Sequence, residues 1–248
     1  MKIAILQCDD VLEKLQPRFG NYPQMIAELL GAVNVDASVV SQVFDVRKGY
    51  YPENIDAWDL FITTGSKASV YDRDDWIDVL IDFVRHLNKA GKKMLGICFG
   101  HQILALANGG VVEKSTKGWG IGIASNRLVY RPEWMSGATA EINLIVSHQD
   151  QISQLPGGTR VIAESDFCRY FMVQWGEHSL SVQGHPEWCA GYSRALINDR
   201  RQLIPHARIE QGLGSLEKKA DNMLFGRWIL EFARHKYSRG NQRSQRAG

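Results

Sequence analysis

The stretch LGICFGHQIL, residues 95–104, decides the fold. It joins the apolar run KKMLGIC to a helical pattern through one cysteine, Cys98, with Gly96 and Gly100 two positions away on either side. A strand ending at Cys98 and a helix starting near Phe99 would set the thiol on a sharp turn at the carboxyl end of a sheet, where ligands collect in open α/β folds. The G-x-C-x-G pattern is the cysteine counterpart of the G-x-S-x-G elbow. Its small flanking residues tolerate a strained nucleophile and close backbone approach. The amino terminus of the helix adds partial positive charge and free N–H groups, which favour thiolate over thiol. The Phe99 N–H is aimed where an oxyanion would form.

Outward from that turn, short apolar runs alternate with helical patterns, as a parallel sheet covered on both faces requires. KIAIL, SVVSQVFDV and LFITTG read as strands. GNYPQMIAELLGAV carries a helix start, with Asn21 as cap and Pro23 in the first turn. DDWIDVLIDFVRHLNKAG places Trp76, Ile77, Leu80, Ile81, Val84 and Leu87 on one helical face, with Gly91 as its stop. From Gly118 to Val182 the pattern changes to shorter strands and turns, with a hairpin turn expected at Gly176–Glu177–His178. GWGIG, residues 118–122, lacks the full dinucleotide-loop pattern and reads as a strand with close backbone packing. KKADNMLFGRWILEFARH returns to helix.

The 248 residues, 44% hydrophobic and 23% charged, are those of an ordinary globular protein, and we expect one α/β domain over 1–235, with a core over 1–190 and C-terminal helices over 191–235. A net charge of +2 makes no case for nucleic acid. The basic residues Arg234, Lys236, Arg239, Arg243 and Arg246 cluster only at the end, and 236–248 reads as a disordered basic tail. No window approaches a membrane span, and four scattered cysteines point to reduced thiols, so a cytoplasmic protein without a membrane partner is expected.

A thiolate nucleophile needs a histidine to handle protons and a third group to orient it. GHPEW, residues 184–188, offers both. His185 and Glu187 lie two apart across Pro186, which favours extended backbone at His185 and brings the carboxylate towards the ring. Two other readings use the same residues. Cys98 with His101 and His185 with Cys189 have spacings open to zinc, and a cysteine on such a turn can serve as an oxidation sensor without catalysis.

GICFGHQ followed by VQGHPE resembles the class I glutamine amidotransferases. TTGSKASVYDRDDWI, VSHQDQISQLP, ILQCDD and GNYPQM are similar to the stand-alone, GMP-synthetase-like members, so the resemblance covers about residues 1–190. It implies a doubly wound, mostly parallel, flavodoxin-like three-layer sheet. It also implies a triad of Cys98 as nucleophile, His185 as general acid/base and Glu187 as its orienter. Backbone N–H groups at Gly65 and Phe99 would form the oxyanion hole. Ser66, Gln102, Ser147 and His148 would hold the substrate glutamine. The implied chemistry is hydrolysis of the glutamine side-chain amide through a thioester, with no metal or cofactor. No G-x-x-x-x-G-K-[ST] loop supports ATP use. The ammonia acceptor would then be a separate synthetase subunit, or the chain would hydrolyse γ-glutamyl peptides instead.

Overall fold

Side-chain alternation along the first strand sets the layers. Ile3 and Ile5 point to one face, Ala4 and Leu6 to the other, and all are fully buried. A strand buried on both faces needs a helical layer on each side. The chain supplies them in a computed structural model that describes residues 1–34, 39–137 and 139–237. In order the elements are β1 (Lys2–Gln7), α1 (Gln16–Phe19), α2 (Tyr22–Val33), β2 (Val40–Asp45), β3 (Leu60–Thr63), α3 (Asp75–Lys89), β4 (Met94–Ile97) and α4 (Phe99–Ala107). The second half runs β5 (Val111–Lys114), β6 (Gly120–Leu128), β7 (Glu141–His148), β8 (Asp150–Gln154), β9 (Thr159–Glu164), β10 (Met172–Trp175), β11 (Ser179–Val182), α5 (Ala190–Asp199), α6 (His206–Ser215) and α7 (Asn222–Arg234).

The main sheet has the order β2-β1-β3-β4-β11-β10-β9-β6-β7. Its first five strands are mutually parallel, in the arrangement of a flavodoxin-like sheet, and the remaining four add by antiparallel pairing. β5 and β8 form a separate antiparallel pair. One core cluster packs Ile3, Ile5, Leu60, Ile62, Leu95 and Ile97 against α2 and α7; the other packs Ala4, Leu6, Phe61 and Met94 against α3 and α4. That is the three-layer α/β architecture expected from the sequence.

Local signals account for the helices. Asn21 and Gln24 form a reciprocal capping box at the start of α2, with Pro23 in its first turn. In α3 the buried residues are Ile77, Leu80, Ile81, Val84 and Leu87, each contributing roughly 1.5–3 kcal/mol by burial. The helix ends before Gly91, whose φ of +65° turns the chain back towards β4. The hairpin between β10 and β11 turns at Gly176, φ +59°. Gly122 in β6 has its place because α6 lies directly on it: a Cβ there would stand 2.4 Å from the Gly212 carbonyl oxygen.

Among the described residues no helix is long and apolar enough to cross a membrane. Of the basic C-terminal cluster, Arg234 ends α7 and Lys236 is exposed, while Arg239, Arg243 and Arg246 lie outside the described residues.

Candidate active site

Cys98 joins β4 to α4 with φ +49° and ψ −97°, the one non-glycine residue at positive φ among those described. Holding an L-residue there costs of order 1–3 kcal/mol and persists only where the surroundings dictate it. Two glycines do so. A Cβ on Gly96 would lie 2.4 Å from the Gly100 carbonyl oxygen, and one on Gly100 would lie 1.6 Å from Thr63 Oγ1. The elbow is therefore tight because β4 meets α4 through bare backbone and the Thr63 side chain of β3 packs against the bare Gly100.

Sheet order brings the distant segment to this turn. β11 lies parallel beside β4, with Val182 in register with Ile97, and the Cys98 N–H donates to the Val182 carbonyl at 2.8 Å. The residues that follow β11 must then emerge next to the thiol. Gln183 Nε2 donates to Cys98 Sγ at 3.4 Å. His185 is pinned from the other side, its N–H donating to the Ile145 carbonyl of β7 at 2.7 Å.

The imidazole sits between the two groups expected from the sequence. Its Nδ1 is 2.8 Å from Glu187 Oε1, and the ring lies near enough to the Cys98 side chain for the two to influence each other's charge. Cys98 and His185 are only 5% and 3% exposed. Burial by itself would drive the imidazolium to lose its proton, but the Glu187 carboxylate and the Cys98 sulfur outweigh it and raise the pKa to about 9. Trp188 stacks on the ring at 3.6 Å between centroids and 12° between planes, an electron-rich face suited to a cation. Behind it stand Tyr192 and Tyr22, whose hydroxyls are 3.0 Å apart.

Gly65 closes the site opposite α4. A Cβ on it would lie 2.8 Å from His185 Cε1 and 3.7 Å from Cys98 Cβ. Its loop is tied to the end of β1. The Cys8 N–H donates to Thr64 Oγ1 at 2.9 Å, the Thr64 hydroxyl donates to the Gly65 carbonyl at 3.0 Å, and the Lys67 N–H donates to buried Asp9 Oδ2 at 2.9 Å. Among the described residues neither the Gly65 nor the Phe99 N–H meets a protein acceptor. Gly65→Ala should displace the imidazole while leaving the loop anchors in place. We expect turnover to fall about 100-fold or more, with the thermal midpoint nearly unchanged, measured by steady-state kinetics and calorimetry.

The remaining sequence candidates are Ser66, Gln102, Ser147 and His148. Ser66 Oγ accepts from the Ala68 N–H at 3.1 Å and so shapes the loop. Gln102 is buried, but its amide nitrogen is engaged with the Asp150 carbonyl at 3.0 Å and Gln183 Oε1 at 3.2 Å. It clamps β8 to α4. Ser147 and His148 are consecutive on β7 and so face opposite sides. His148 is buried, with its pKa pushed down to about 4 by desolvation, and is neutral near pH 7. Ser147 accepts from Arg200 Nη1 at 3.0 Å. The zinc pairs do not assemble: His101 Nδ1 is 2.7 Å from Ser181 Oγ, and Cys189 Sγ caps α5 by accepting from the Tyr192 N–H. Among the described residues no group of three or more His, Cys, Asp or Glu side chains is placed to hold a metal.

Sequence reasoning does not single out Gln183, Trp188 or Asp150. Asp150 accepts from Ser69 Oγ at 2.6 Å and Tyr71 Oη at 2.7 Å, fixing the loop beyond Gly65. Both Gln183 and Trp188 lie within two residues of the GHPE stretch, so adjacency is the available signal.

The chain is 30% identical over 194 residues to gamma-glutamyl peptidase 3 of Arabidopsis thaliana, covering 75% of this chain and 76% of that protein. It is 37% identical over 103 residues to one subunit of the glutamine-hydrolyzing GMP synthase of Archaeoglobus fulgidus, covering 41% of this chain and 56% of that one. The crystal structure of a glutamine amidotransferase from Thermotoga maritima shares the fold, with a TM-score of 0.74 at 17% identity over 94% of this chain and 98% of that one. The family model for glutamine amidotransferase class-I matches residues 19–200, so the chain belongs to the class I glutamine amidotransferase family.

Proposed function

We propose that this protein hydrolyses the side-chain amide of glutamine, or the equivalent bond of a γ-glutamyl compound, through a cysteinyl thioester. The observation that carries the reading is His185 held between the Cys98 side chain and the Glu187 carboxylate in a buried site. Cys98 Sγ attacks the γ-carbonyl carbon. The N–H groups of Phe99 and Gly65 receive the developing oxyanion, and His185 Nε2 passes a proton to the departing ammonia or amine. Water then attacks the thioester, His185 takes its proton, and glutamate leaves as the thiol is restored. Glu187 keeps Nδ1 protonated, so that Nε2 is the nitrogen exchanging protons with sulfur and the leaving group.

The named relatives support two outlets for this half-reaction. Likeness to a glutamine-hydrolyzing GMP synthase component favours delivery of the ammonia to a separate synthetase partner. The gamma-glutamyl peptidases favour release of an amine from a γ-glutamyl peptide. Both outlets use the same attack at the γ-carbonyl.

Turnover of L-glutamine and of a γ-glutamyl dipeptide, followed against pH, tests the mechanism. A raised imidazole pKa means that the proton donor persists into mildly alkaline solution, so kcat/KM should decline only as pH rises through about 9. Glu187→Gln removes the carboxylate that raises it and should shift this alkaline limb downwards. A glutamine-like diazoketone should label Cys98 with the same limb. Labelling elsewhere, or an alkaline limb unmoved in Glu187→Gln, refutes the assignment.

A further inference from the structure

We propose that Arg200 anchors a substrate carboxylate, so that the substrate is held through charge as well as through its reacting carbonyl. This rests on the hydrolytic reading above. Arg200 follows the last residue of α5, half-buried, with Nη1 donating to Ser147 Oγ at 3.0 Å and the guanidinium 5.9 Å from the centre of the Trp119 ring. One of its five donors is used by Ser147, which leaves donors for a bidentate carboxylate contact. Among the described residues no Asp or Glu forms an ion pair with it. By contrast Arg47 pairs with Asp9, Asp10 and Asp45, and Arg85, Arg127 and Arg194 each pair with a carboxylate.

Position along β7 links this cation to the reacting groups. Ile145 bridges His185, and Ser147 lies two strand residues further on, about 6.6 Å along the chain. A second link runs through the aromatic residues: Trp188 stacks on His185, Tyr192 packs edge-on against Trp188, and the positive charge of Arg200 acts on the hydroxyls of Tyr192 and Tyr22. Serine and tryptophan also fix the guanidinium before substrate arrives, which limits the ordering cost of binding.

The carboxylate has two sources, the α-carboxylate of the γ-glutamyl unit or the terminal carboxylate of the leaving peptide. Three substrates distinguish them: L-glutamine, γ-glutamyl-p-nitroanilide, whose leaving group has no carboxylate, and a γ-glutamyl dipeptide. In Arg200→Gln, KM should rise roughly 10- to 100-fold with kcat little changed. A rise for all three assigns the α-carboxylate, and a rise for the dipeptide alone assigns the leaving group. Arg200→Lys should recover part of the affinity. Iodoacetamide, which carries no carboxylate, should alkylate Cys98 in Arg200→Gln at the wild-type rate, showing that the elbow is undisturbed.

Calorimetric titration of the same ligands into Cys98→Ala and Cys98→Ala/Arg200→Gln keeps this test independent of turnover. A wild-type protein that hydrolyses none of the three overturns the hydrolytic reading, while the titrations still report on Arg200. KM and Kd values within twofold of those with arginine overturn the anchor.

Discussion

Replacing Cys98 by alanine is expected to reduce hydrolysis of glutamine or a γ-glutamyl peptide by about 10^5-fold, because removing the nucleophile removes the covalent route and not a single contact. The fold should be unaffected. The thiol is buried but small, and alanine keeps the β4–α4 turn with the same positive φ. Cys98→Gly should be equally inactive yet more stable than wild type by about 1 kcal/mol, since glycine adopts φ +49° without steric cost. Ammonia or amine release together with chemical unfolding checks both. Loss of function accompanied by a gain in stability is the signature of a site whose backbone is held in a conformation its side chain disfavours. Substantial turnover by either variant would end the nucleophile assignment.

The largest effect on folding is expected at Gly100. An alanine Cβ there would stand 1.6 Å from Thr63 Oγ1 and 2.7 Å from Thr63 Cβ, so β3 and α4 must separate. Overpacking a core by one methyl group typically costs about 1–3 kcal/mol, and this clash belongs at or above the top of that range. Gly100→Ala should therefore give little soluble protein. The double variant Gly100→Ala/Thr63→Gly should recover part of the loss, because both clashing atoms belong to the threonine side chain. Gly96→Ala has no such remedy, as the atom it meets is the Gly100 carbonyl oxygen. Soluble yield and urea midpoints give the comparison. A single Gly100→Ala variant as stable as wild type would mean that the close approach of β3 to α4 is not required.

Features governed by neighbours in the chain were legible in the sequence. The helix start at Asn21, the buried face of α3, the turn at Gly176 and the glycine-flanked cysteine each depend on residues a few positions apart. The close packing expected of GWGIG was visible as well, although not that α6 would be what packs there. What stayed hidden depends on pairing over long separations. Nothing local in residues 179–182 says that they insert beside β4, yet that register places Gln183 and His185 at the thiol. The stacking of Trp188 on His185 and the contact between Arg200 and Ser147 arise only once α5 folds back over β7. Gln102 illustrates a different limit. The family resemblance implies a substrate contact for it, and nothing local reveals that its amide nitrogen also links Asp150 to Gln183.

The insertion of β11 between β4 and β10 also governs how the chain is made. Strands β1 to β4 and the elbow are complete within the first 107 residues, whereas the segment that covers the open side of β4 is the last strand of the sheet. Until the ribosome has delivered it, β4 is a bare apolar border, ready to pair with any other unfinished chain. The nascent protein thus carries Cys98 early and His185 late. Coverage of the β4 border and the arrival of His185 beside Cys98 come together, once β11 has been made.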